Sequence, residues 1–81
     1  MSQPTYKNFE AIEDSGSNTH TLIRRSRRII ITNDGGGDMG YKFNESENFG
    51  TLKSTETVSL DFIAKQVITQ GSVAYRIWSY G

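Results

Sequence analysis

Eighty-one residues make one domain at most, and folding a chain of this size buries roughly 60% of its unfolded surface. The absence of cysteine excludes disulfides and thiolate metal sites, so any stabilisation beyond a small core is expected from neighbouring subunits. Formal net charge is zero, which argues against non-specific binding of nucleic acid over the whole surface.

Residues 1–19 are polar and acidic and read as an extended N-terminal arm, followed by a compact domain at 20–81. Tyr6, Phe9 and Ile12 are, apart from Met1, the large apolar residues of that arm. They are the expected anchors on another chain, by strand addition to a neighbour's sheet edge. No apolar run approaches the length of a membrane span or a signal peptide.

From His20 to Asn33 the chain is rich in β-branched residues and arginine, with a break expected near Ser26. Arg24, Arg25, Arg27 and Arg28 give a local cluster of positive charge. Guanidinium forks match phosphate oxygens, yet a strand divides the four between two faces, so protein contacts are preferred to nucleic acid. Asn33–Asp38 is a glycine-rich turn. Met39–Asn44, with Met39, Tyr41 and Phe43 on one face, reads as the return strand of a hairpin. The glycines lead into Asp38 and not into Lys-Ser/Thr, so the phosphate-cradling loop is not matched.

Val58, Leu60 and Phe62 alternate with polar residues as a half-buried strand. Leu60, Ile63, Ala64, Val67 and Ile68 also fit the spacing of an amphipathic helix, but the density of β-branched residues favours strands. Gln66–Thr69 and Val73–Tyr80 flank Gln70-Gly71-Ser72 as a final hairpin. Its last strand places Arg76, Trp78 and Tyr80 on one face, either as an exposed aromatic–arginine stripe or with Trp78 as the centre of the core.

The fold class expected is therefore all-β, a small antiparallel sandwich or barrel with an extended N-terminal arm. Catalysis is not expected. His20 is the single histidine, no serine lies in a nucleophile-elbow context, and no cofactor or metal is called for.

The runs Ile31-Thr-Asn-Asp34, Tyr41-Lys-Phe43, Thr51-Leu-Lys53, Glu56-Thr-Val-Ser-Leu60 and Tyr75-Arg-Ile-Trp78 share a cadence. In it the chain resembles small β-sandwich proteins of tailed-bacteriophage particles, the capsid decoration or cement type, over residues 29–80. Such relatives often carry Pro-Gly-Glu before their last strands, where this chain has Ser54-Thr55-Glu56. The resemblance implies a structural virion subunit assembled in the bacterial cytoplasm. It would bind shell subunits such as the major capsid or connector protein and would be homo-oligomeric, with no cofactor and no active-site residues to carry over. The alternative is a carbohydrate- or receptor-binding module using Arg76, Trp78 and Tyr80 as its platform.

Overall fold

The computed structural model describes residues 9–44, 46–61 and 63–81, so Tyr6 and Phe62 lie outside the described residues. Eight strands follow one another in these residues: β1 Phe9–Ser15, β2 Thr19–Ser26, β3 Arg28–Asn33, β4 Met39–Phe43, β5 Gly50–Leu52, β6 Thr57–Leu60, β7 Ala64–Gln70 and β8 Ala74–Tyr80. The described residues contain no helix, and the segment with helical spacing is divided between β6 and β7.

Two four-stranded sheets result, in the orders β1-β8-β3-β6 and β2-β7-β4-β5, and every strand pairing is antiparallel. Only β4 and β5 are neighbours both in sequence and in a sheet; every other connection crosses from one sheet to the other. This is the jelly-roll arrangement of a β-sandwich, the double-stranded β-helix.

The break expected near Ser26 is where the chain changes sheets. Leu22 and Ser26 are buried in β2, whereas Ile29, Ile31 and Asn33 are buried in β3, so the inward phase moves from even to odd positions across Arg27. Two expected hairpins are corrected here. β3 and β4 lie in different sheets, as do β7 and β8. The alternation in these segments reports which side chains point inward, but not which strand is the hydrogen-bonding partner. Sheets in a sandwich pack about 10 Å apart, a gap that a glycine-rich connection of several residues spans readily.

The connection from β3 to β4 is held from within by the wholly buried Asn33. Its Nδ2 donates to the carbonyls of Gly37 (2.8 Å) and Leu52 (2.9 Å), and its Oδ1 accepts from Gly35 N (2.9 Å). Gly35 itself is wedged against Val73, since an added Cβ would overlap Val73 Cβ and lie 2.8 Å from Cγ1. Gly35→Ala is expected to lower stability by about 1–3 kcal/mol, the usual cost of overpacking. Gly36→Ala, in open space, serves as the control in urea unfolding.

The arm differs from expectation over residues 9–19. β1 pairs with β8 of its own chain, in register from Phe9 opposite Tyr80 to Ser15 opposite Ala74. Ile12 packs against its own core, opposite Ile77. Gly16, at φ 83°, and Asn18 turn the chain into β2 through backbone bonds to Val73 and Thr69. The physical reason is the edge of β8. It satisfies the ladder of β1 within one molecule, without the loss of translational freedom that docking on a neighbour entails. The domain therefore includes at least residues 9–81.

Leu22, Ile29, Ile31, Met39, Leu52, Ala64, Val67, Tyr75 and Ile77 form the core between the sheets.

Candidate docking surface

β1, β8, β3 and β6 each turn alternate side chains away from the core, and register aligns these into rows across the first sheet. Ile29, Ile31, Ile77 and Ser79 are buried, so Arg28, Ile30, Thr32, Arg76, Trp78 and Tyr80 face outward. The central row runs Ala11, Trp78, Ile30, Ser59. One flanking row runs Phe9, Tyr80, Arg28, and the other Glu13, Arg76, Thr32, Thr57.

Phe9 is 60% exposed, and its ring meets that of Tyr80 at 5.2 Å with the planes tilted by 50°. Trp78, Tyr80 and Ile30 are half-buried. The apolar centre is thus rimmed by two arginines, each fixed by a carboxylate. Arg28 Nε lies 3.2 Å from Ser59 Oγ and 3.3 Å from Asp61 Oδ1. Arg76 grips Asp34 with both prongs of its fork, at 2.7 and 2.9 Å, and its guanidinium lies 5.1 Å from the centre of the Trp78 ring. One face of the indole is therefore already occupied by a cation.

The hydrogen bond from Arg76 holds the Asp34 carboxyl below its ordinary range; burial opposes the shift and attraction to the same guanidinium adds to it. Arg76 is correspondingly raised, first by that hydrogen bond. A depressed carboxylate pKa gives stability that is present above the unfolded value and lost as pH falls through the folded one. Asp34→Asn is expected to flatten the acid side of the melting-temperature profile slightly, the pair being half-exposed.

At the end of the sandwich where β1 turns into β2, the Tyr75 hydroxyl lies 2.8 Å from His20 Nε2. It lies 3.1 Å from Asn18 Nδ2 and 3.1 Å from Thr69 Oγ1. Asp14 Oδ2 stands 3.7 Å from His20 Nε2. With the imidazole protonated at Nδ1, the phenol donates to His20 and accepts from Asn18, so the network closes on itself. His20 thus joins the sheets by way of Tyr75. The interior offers no metal-ligand set: this is the chain's single histidine, and the described residues hold no group of three or more His, Cys, Asp or Glu placed for a metal.

Of the interface residues expected from sequence, Phe9, Arg28, Arg76, Trp78 and Tyr80 come together on this face. Ile12 points to the core instead. Arg24 and Arg25 lie in a bulge of β2, which advances from Thr21 to Ser26 while β7 moves only from Gln66 to Ala64. Arg27 sits in the corner between the sheets. Ile30 and Asp34 were missed as members of the face. For Ile30 the signal was its place between two inward isoleucines; for Asp34 no local signal existed.

No family model matches the sequence, and no curated protein matches it. Solved structures do match in shape. Protein NMB1881 from Neisseria meningitidis is 15% identical, with 98% of this chain and 83% of that one covered at a TM-score of 0.56. A de novo designed double-stranded β-helix is 6% identical, covered 93% and 100% at 0.54. A cupin-2 domain containing protein from Shewanella frigidimarina is 12% identical, covered 90% and 69% at 0.52. At these identities the likeness establishes the fold alone.

Proposed function

We propose that this chain is a non-catalytic binding subunit that docks on a protein surface through the outer face of its first sheet, as a decoration or cement protein of a tailed-bacteriophage particle. The observation that carries the docking reading is the cluster of Phe9, Tyr80, Trp78 and Ile30 across two adjacent rows, rimmed by Arg28 and Arg76. Aromatic residues ringed by arginines are the composition of energetically dominant interface centres. The particle setting rests on the sequence resemblance, and the jelly roll suits it because viral shell proteins and lectins both use that architecture.

The sugar-binding alternative needs an open aromatic platform. Arg76 covers one face of the Trp78 ring, which favours a protein partner over a stacked sugar. The experiment is gradient purification of particles from cells making the chain. The chain is expected in the particle band at fixed stoichiometry, and Trp78→Ala should be lost from that band with its melting temperature nearly unchanged. Glycan-array binding abolished by the same substitution would assign the face to carbohydrate instead.

A further inference from the structure

The zero net charge conceals a molecule polarised from end to end. Among the described residues, the end where β2 passes into β3 carries Arg24, Arg25, Arg27, Arg28, Lys42 and Lys65, against Glu10, Glu47 and Asp61. At the opposite end, around the turns after β1, β3, β5 and β7, stand Glu13, Asp14, Asp34, Asp38 and Glu56, against Lys53 and Arg76. Arg28 and Arg76 are each committed to a carboxylate of their own end, whereas Arg24, Arg25 and Arg27 have no carboxylate within ion-pair distance among the described residues.

The basic end is built to project. Where β2 gains its extra residues opposite β7, Ile23 is 79% exposed between the buried Leu22 and Arg24. Ile23 N donates to Glu10 Oε1 (3.0 Å), which ties the bulge to β1. Ile63, 65% exposed, adjoins the same corner through Ala64, whose N and O both meet Ser26 Oγ. A bulge re-aims side chains and interrupts pairing. Here it presents two isoleucines among unpaired arginines, which a merely solvated charge cluster does not require.

We infer that the partner of this corner is a second copy of the chain, joined head to tail, the arginine corner of one copy meeting the acidic turns of the next. The opposite end supplies the complementary charge within the same sequence, so no foreign partner is needed to neutralise the arginines. Such an interface uses two different patches, and repetition gives a ring or an open chain according to whether the rotation closes. The outer face of the first sheet adjoins this corner through Phe9, Tyr80 and Arg28, but Trp78 and Ile30 lie further along the strands, so association end to end leaves its centre open. The inference therefore stands apart from the docking reading.

The test is sedimentation velocity of the full chain across a range of concentrations. At about 0.01 M ionic strength, where screening extends over about 30 Å, wild type is expected to self-associate; at about 1 M it is expected to be a monomer. Arg24→Glu with Arg25→Glu, and separately Asp38→Lys with Ser72→Lys, should each abolish association. An equimolar mixture of the two variants should regain association, because the acidic ends of one variant meet the basic ends of the other. Trp78→Ala should associate as wild type does, which separates this inference from the docking face. Wild type that stays monomeric at low salt, or a mixture that stays monomeric, overturns the proposal. So does a duplex oligonucleotide bound through Arg24 and Arg25 with no self-association, which would assign the corner to phosphate.

Discussion

Tyr75→Ala is expected to leave the chain largely unfolded at room temperature. Total stability scales as about 0.05–0.15 kcal/mol per residue, hence about 4–12 kcal/mol for this domain. Truncating a buried large aromatic costs about 3–5 kcal/mol. Tyr75 is 2% exposed and its hydroxyl joins His20, Asn18 and Thr69, so truncation also takes one hydrogen bond from each of these groups and leaves His20 Nε2 without its phenol. Tyr75→Phe separates the two contributions, because it keeps the ring and removes the hub. It should cost about 1–3 kcal/mol, the penalty of unsatisfied buried groups. Urea unfolding followed by circular dichroism reads both, and a Tyr75→Phe protein as stable as wild type would show the network to be incidental.

Asn33→Asp should be nearly as damaging, although it changes one amide nitrogen to oxygen. The native Nδ2 donates to two carbonyls, of Gly37 and Leu52, inside a site with no exposure. A carboxylate there would face those two oxygens with nothing to donate, and an uncompensated buried charge costs about 3–5 kcal/mol. The effect carries a pH signature. The introduced carboxyl is disfavoured in its charged form, so its folded pKa is raised. Stability is then greatest below the unfolded pKa and is lost as pH rises through the folded value. Melting temperatures of the variant should rise toward wild type on acidification, and a constant difference across pH would contradict the burial argument.

What was legible in the sequence follows from what alternation encodes. Ile29 and Ile31 against Ile30, and Tyr75 and Ile77 against Trp78, announce strands and their faces from chain neighbours alone. The all-β class, the break at the second corner and the sharing of one face by Arg76, Trp78 and Tyr80 were readable for that reason, whereas alternation alone left open whether that face points outward or into the core. Partnership was not. β8 lies between β1 and β3, both more than 40 residues away along the chain, and no local pattern in Val73–Tyr80 selects those neighbours over β7. The two false hairpins and the misplaced arm share this origin. The candidate face was likewise half legible: its arginines and aromatics stood out by type, but their gathering into rows depended on long-range register. Asp34 joined them only because the turn after β3 begins beside Arg76.

Residue-resolved hydroxyl-radical footprinting of the chain, free and bound to the particle, tests the docking face most directly. Trp78 is the chain's only tryptophan, so its oxidation is read without ambiguity. Phe49, on the loop before β5 in the other sheet, gives an internal reference. On binding, Trp78, Tyr80 and Phe9 should lose most of their reactivity while Phe49 keeps its own. A bound chain in which Trp78 and Phe9 react as they do when free would contradict the assignment of this face.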